Sequence, residues 1–168
     1  MAKWASDRTL EVLTLMLQGE TFALEAAHVR EILDLVPITM VPNSRPFVNG
    51  VINVRGKVVP VADLRLQFGM PQEPSTIDTR VIVVDIAIDG DQTTIGLLAD
   101  KVLEVTALAP ASLEETPRLG MTWRPDFIRC VGKRGSDFVI VLDIERIFAT
   151  DVRSGPQAPD STAQASAA

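Results

Sequence analysis

One histidine, one cysteine and no tyrosine limit what this 168-residue chain can do by proton transfer or nucleophilic attack. A nucleophile with its base would have to be built from Cys130 and His28. Cys130 lies in an apolar run, where a thiol behaves as a small hydrophobe, and His28 reads as part of a turn before a strand. No Cys/His cluster exists to hold a transition metal. Glu114-Glu115 lacks the spacing of a calcium loop. Arg55-Gly56-Lys57 lacks the glycine spacing and the following Ser/Thr of a phosphate-cradling loop. Asp63 and Asp143 each open a short helical pattern and read as N-caps rather than as acid/base groups. Asp100 and Glu104 read as a solvated face or a loop contact. Arg55, in a turn between two apolar runs, offers a rigid fork of donors suited to a carboxylate. The chemistry on offer is recognition, with no cofactor, no metal and no catalytic residue expected.

The bulk properties narrow the partners. Formal net charge is −6 and the pI is near 4.8, with no run of Lys or Arg, which argues against nucleic acid and against an anionic membrane surface. Hydrophobic residues make up 46% and charged residues 23%, an ordinary globular balance. No apolar stretch approaches the roughly 18 residues of a spanning helix, and residues 1–8 are polar with no signal core. The expectation is a cytoplasmic chain that reaches a membrane only through a partner, and that partner is a protein.

Strands must position these residues. Leu10–Leu17 is nearly continuous in apolar residues, and Gln18-Gly19-Glu20 turns it into a second strand at 21–24. Val48–Val54 and the run 58–61 flank Arg55-Gly56-Lys57, a second hairpin. The run 81–88 is apolar except for Asp85 and reads as a strand buried on both faces. Asp89-Gly90-Asp91 turns into a strand at 93–98. Runs at 127–131 and 138–142 close the pattern, with a turn at 132–137. Short helices are expected at 63–68, ended by Gly69 and Pro71, and at 143–148. Residues 25–36 fit a helix about as well as a turn and a strand. Residues 69–78 read as a linker. Residues 1–9 and 151–168 read as tails, the latter rich in Ala, Ser, Pro and Gln and too poor in apolar residues to order itself.

The chain also repeats itself. At an offset of 80 residues Phe47-Val48 falls on Phe127-Ile128, Val59 and Val61 on Val139 and Val141, Asp63-Leu64 on Asp143-Ile144, and Phe68 on Phe148. At an offset of 73, His28-Val29-Arg30-Glu31-Ile32 falls on Lys101-Val102-Leu103-Glu104-Val105, and Ala23-Leu24 on Gly96-Leu97. The order of the blocks is the same in both halves. Two similar β-rich units follow, about 10–70 and 80–150, each with about five short strands that can curl into a small barrel. Units this small are marginal alone, so they should share an apolar interface, and the groove between them is a natural docking surface.

Val41-Pro42-Asn43-Ser44-Arg45-Pro46-Phe47-Val48-Asn49-Gly50-Val51-Ile52-Asn53-Val54-Arg55-Gly56 and the following Val58-Val59-Pro60-Val61-Ala62-Asp63-Leu64-Arg65 resemble the signature stretch of the CheW family. Val29-Arg30-Glu31-Ile32-Leu33 sits upstream at the expected distance. Ile95-Gly96-Leu97-Leu98-Ala99-Asp100-Lys101-Val102-Leu103-Glu104-Val105 resembles the second-half motif, and Val139-Ile140-Val141-Leu142-Asp143-Ile144 the last strand. The match covers residues 10–150. It implies a mainly β fold of two SH3-like five-stranded barrels. It further implies a non-catalytic adaptor of chemotaxis that binds the regulatory domain of the histidine kinase CheA on one barrel. The hairpin tip of a methyl-accepting chemoreceptor would bind in the groove between barrels, recruiting the chain to the inner face of the membrane in receptor arrays. In the family a glycine usually stands where this chain has Cys130, matching Gly50 in the first half.

The resemblance also makes the position of Arg55 functionally sensitive and Glu31 its partner, an ion pair at the groove rim. Val29 and Ile32 are candidate partner-facing aliphatics, since recognition surfaces need an apolar centre. Val51, Val54, Val84, Val102 and Leu103 are further candidates, and Gly50 reads as a site of special backbone angle or close chain approach. A generic peptide-binding adaptor outside chemotaxis, using exposed strand edges, is the alternative reading.

Overall fold

A computed structural model describes residues 7–42, 48–88, 90–114 and 125–153. The first hairpin forms where the apolar runs placed it: β1 (Leu10–Leu17) and β2 (Glu20–Glu25) meet across a two-residue turn at Gln18-Gly19. The ambiguous segment after it is a 3-10 turn (Ala26–His28) followed by β3 (Val29–Asp34). Half-buried Val29, Glu31 and Leu33 alternate with exposed neighbours along β3, and that period of two decides for strand over helix.

The rest of the chain runs β4 (Val48–Val54), β5 (Lys57–Ala62), α1 (Leu64–Gln67), β6 (Arg80–Ile88), β7 (Asp91–Ala99), β8 (Lys101–Leu108), β9 (Leu113–Glu114), β10 (Ile128–Arg134), β11 (Asp137–Leu142) and α2 (Ile144–Arg153). The turn expected at 132–137 shrinks to Gly135-Ser136. Lys133 and Arg134 are polar but still pair in register with Phe138 and Asp137. The second helix is longer than its apolar pattern suggested and runs through Arg153. Of the expected tails at 1–9 and 151–168, residues 1–6 and 154–168 lie outside the described residues, and residues 151–153 belong to α2 and not to a disordered tail.

The fold is mainly β, in two sheets ordered β8-β1-β2-β11-β10-β9 and β3-β6-β7-β5-β4. The sheets do not follow the two contiguous halves read from the repeat. The hairpin β1–β2 of the first half joins β8, β10 and β11 of the second. The hairpin β6–β7 of the second joins β3, β4 and β5 of the first. The repeat survives this exchange position by position. Val61 on β5 pairs in parallel with Gly96 on β7, and its equivalent Val141 on β11 pairs in parallel with Ala23 on β2. The equivalent hairpins β4–β5 and β10–β11 carry the same irregularity, between Val48 and Gly50 and between Ile128 and Cys130.

Exchange of hairpins makes the two units one folding body. The largest core joins Leu13, Leu15, Phe22 and Leu24 of one sheet with Ile82, Val84, Ile86 and Leu97 of the other. It is closed by Leu64 at α1 and by Ile144, Ile147 and Phe148 at α2. Each sheet also curls around a smaller core of its own, around Val12, Cys130 and Val141 in one and around Ile52, Val61 and Val83 in the other. The shared core supplies the burial that each small sheet lacks by itself.

Candidate functional site

Arg55 and Gly56 are the two central residues of the β4–β5 hairpin, with φ of 52° and 83°. That pair of left-handed residues gives the tight turn whose twist matches the flanking strands. Asn53 stabilises it by accepting the Gly56 N–H at 2.8 Å. The turn lifts Arg55 clear of the sheet, and its side chain is 83% exposed. Its Nη2 donates across the barrel to Glu31 Oε2 on β3 at 2.9 Å, and Glu31 is itself only 18% exposed. The pair therefore joins the hairpin at one end of the five-stranded sheet to the strand at the other.

The same device recurs in the six-stranded sheet, where Arg134 at the β10–β11 hairpin pairs with Glu104 on β8. Glu31 and Glu104 are equivalent in the repeat. Both pairs close their sheets across the open side, and the role of Glu104 is thus settled as an ion-pair partner.

The first pair borders a substantial cavity. A groove of about 440 Å³ opens beside Arg55 and Glu31, with contributions from all five strands of that sheet. Its floor is apolar, formed by Val54, Val59 and Val83, and its edge carries Arg30, Lys57 and the 75% exposed Val58. This groove lies in the mouth of the five-stranded sheet.

The structure sorts the other candidates. Val84 is fully buried in the shared core and is not available to a partner, which corrects its reading as a contact residue. Val29 and Val102, equivalent in the repeat, are half-buried against the shared core. Ile32 and Leu103 are exposed. Val54 belongs to the groove, and Val51 is half-buried on β4. Gly50 is a site of close approach. A Cβ there would lie 2.2 Å from the carbonyl oxygen of Thr39, whose backbone bonds to Val51 in both directions at 2.9 Å.

A second polar cluster went largely unseen in the sequence, where only the cap at Asp63 was legible. Asp63 is fully buried and accepts from Arg65 three times, through N and Nε at 3.0 Å and Nη2 at 2.9 Å, and from Gln72 Nε2 at 2.9 Å. Arg65 Nη1 donates to Glu73 O and to Asp100 Oδ1, both at 3.2 Å. Asp100 Oδ2 accepts the Gln18 N–H at 2.7 Å. The network ties α1 and the segment after it to the β1–β2 turn of the other sheet. Burial pushes the Asp63 carboxyl up, but the hydrogen bonds and charge of Arg65, with Gln72, outweigh it and hold the group below the usual carboxylate range. Asp143, its equivalent, caps α2 by accepting the Arg146 N–H at 3.2 Å.

Neither component of a Cys–His pair is set up for catalysis. His28 Nε2 faces the carboxylates of Glu25 and Glu145 at 3.7 and 3.9 Å. Cys130 is fully buried on β10 among Val12, Ala23, Leu108 and Val141, and burial pushes its thiol up to about 11. A thiol so placed supplies almost no thiolate at neutral pH. Its reaction with a disulfide reagent near pH 8 is expected to be at least about a hundredfold slower in the native chain than in denaturant. A native rate within a few fold of the denatured one would show that Cys130 is accessible. Among the described residues no group of His, Cys, Asp and Glu is placed to hold a metal ion. No helix among them is long and apolar enough to cross a membrane.

Comparison with known proteins agrees with this architecture. The family model for the CheW-like domain matches residues 11–152. The chemotaxis protein CheW of Klebsiella aerogenes is 28% identical over 141 residues, covering 84% of this chain and 82% of that protein. The CheW of Rhizobium meliloti is 25% identical over 152 residues, covering 90% and 96%. The crystal structure of the scaffolding protein TtCheW from Thermoanaerobacter tengcongensis superposes with a TM-score of 0.74 at 29% identity, covering 85% of this chain and 90% of that one. The chain belongs to the CheW-like family and is one of its chemotaxis coupling proteins, a scaffold and not an enzyme.

Proposed function

We propose that this scaffold couples methyl-accepting chemoreceptors to the histidine kinase CheA, with the kinase's regulatory domain on one sheet and the receptor's hairpin tip at the seam between the two. The observation that carries this reading is the Arg55–Glu31 pair, held at 2.9 Å on the rim of an open groove with an apolar floor. Desolvated apolar centres ringed by polar groups are the parts of an interface that carry its energy. Val29 and Val102, repeat-equivalent and half-buried against the shared core, with Ile32 and Leu103 exposed on the same two strands, supply aliphatic surface for the second partner. Membrane recruitment follows from the receptor, since the scaffold needs only to hold its partners in register.

Titration of the labelled chain with the isolated CheA regulatory domain and with a receptor cytoplasmic fragment tests this. Arg55→Glu places two carboxylates face to face and is expected to weaken at least one partner tenfold or more, as charge reversal at an interface costs several kcal/mol. Native stability should change by less than about 1 kcal/mol, because the Arg55 side chain is largely solvated. Unchanged affinity for both partners in a folded Arg55→Glu variant would remove the pair from the binding surface. The generic peptide-binding alternative is favoured if the wild-type chain binds neither.

A further inference from the structure

The two halves of the repeat provide an internal comparison that separates what closes a barrel from what serves a ligand. An Arg–Glu pair is present in both sheets, so closing the sheet is a role common to the two. The other cations of the groove are not shared. Arg30 is replaced by Leu103 in the second half, and Lys57 by Asp137. In a chain of net charge −6, the first groove thus brings together Arg30, Arg55 and Lys57 against Glu31 alone. Glu31 is the least exposed of the ion pair, whereas Arg55 points into solvent with donors beyond the one it commits. Arg30 lies 3.7 Å from Asp85, and Lys57 makes no ion pair among the described residues. Beneath this rim Val54, Val59 and Val83 floor a cavity of about 440 Å³, and Val58 stands 75% exposed at its edge.

We propose that the groove receives a segment of a protein partner that carries acidic residues on both sides of an aliphatic anchor. The aliphatic side chain fills the cavity over Val59 and Val83, and the flanking carboxylates meet Arg30 on one side and Arg55 and Lys57 on the other. Charge complementarity selects this occupant. A basic segment would face Lys57 and the uncommitted donors of Arg30 and Arg55 across a partly desolvated rim, whereas an acidic one adds acceptors for all three. The inference rests on the reading of this groove as a partner surface and names the chemistry of what enters it.

The test uses the full isotopically labelled chain and two synthetic peptides of equal length, each with one central leucine, flanked by glutamates in one and lysines in the other. The glutamate peptide is expected to shift the backbone amide resonances of Val54, Lys57, Val58 and Thr93, and to weaken as salt approaches about 0.3 M. The lysine peptide should leave them unmoved. The variant Arg30→Leu with Lys57→Asp adopts the residues the second half already carries at these positions, so it is expected to fold and to bind the glutamate peptide about tenfold more weakly or worse. Equal response to both peptides, response to neither, shifts centred elsewhere, or undiminished binding in the folded double variant would each overturn the proposal. Kinase-domain binding by wild type is measured alongside: if it persists while the glutamate peptide fails, this inference falls alone, and if it is absent while the peptide binds, the coupling reading falls instead.

Discussion

Asp63→Ala is expected to destabilise the chain by about 3–5 kcal/mol, the range seen when one member of a buried ion pair is removed and the other is left uncompensated. Asp63 is fully buried and accepts four hydrogen bonds, three from Arg65 and one from Gln72. Arg65, with a side chain 10% exposed, would keep only Glu73 O and the partly exposed Asp100. The cap of α1 is lost at the same time. For a chain of this size the loss corresponds to a fall in Tm on the order of 10 °C. Asp63→Asn, which keeps the shape and part of the acceptor capacity, should cost less. The double variant Asp63→Ala with Arg65→Ala should cost less than the sum of its parts, because each single change strands the other partner. Thermal melts of wild type, Asp63→Ala, Asp63→Asn, Arg65→Ala and the double variant decide the matter, and a loss below about 1 kcal/mol in Asp63→Ala would show that the network adds little.

The same group sets a direction for acid stability. Its folded-state affinity for protons is lowered, so its contribution is fully present above the unfolded carboxylate value of about 3.9 and disappears as pH falls through the lower folded value. Wild type should lose stability relative to Asp63→Asn over that acid range and nowhere near neutrality.

Gly50→Ala is expected to cost about 3 kcal/mol, from overpacking and from loss of the backbone bridge it carries. The added Cβ would sit 2.2 Å from Thr39 O and 2.9 Å from Thr39 C, backbone atoms that no rotamer change can move. The segment carrying Thr39 must swing away and release both 2.9 Å bonds to Val51. Gly19→Ala is the matched comparison. Its Cβ would meet nothing within 4 Å, and its cost of about 1 kcal/mol comes from a φ of 76° alone. Similar losses in the two variants, read by denaturant unfolding, would mean that Gly50 answers to backbone angle and not to close approach. Cys130 occupies the equivalent place in the second half, and there the close approach falls on Gly132, whose Cβ would lie 2.8 Å from a methyl of Leu108 on β8.

These positions show what sequence reading can and cannot reach. β1, β4 and β6 were legible because unbroken apolar runs bounded by turn residues leave little choice of element. The alternation of apolar and polar residues in β3 was ambiguous, because a short period-two pattern overlaps the spacing of a helix face. β8 was visible only as the repeat partner of β3, since its exposed Leu103 and Val105 blur the pattern of burial. The repeat announced two similar units, but not that they exchange hairpins. Offsets along a chain are blind to which copy of a strand a hairpin pairs with, and that choice is made by the shared core. The Arg55–Glu31 pair was anticipated from the family resemblance, and the groove beside it opens within the five-stranded sheet. Val84 is a contact candidate in the sequence although its run reads as buried on both faces, and the interior place of β6 between β3 and β7 decides for burial. Arg65 drew no notice because nothing in its neighbours marks an arginine as buried.

Reconstitution of the three-part complex tests the central claim most directly. Autophosphorylation of CheA would be measured alone, with receptor cytoplasmic fragment, with this chain, and with both. Coupling predicts stimulation only when receptor and chain are present together, and its loss with a folded Arg55→Glu variant. Stimulation by the receptor that is the same with and without the chain, while the chain remains folded, would contradict the account.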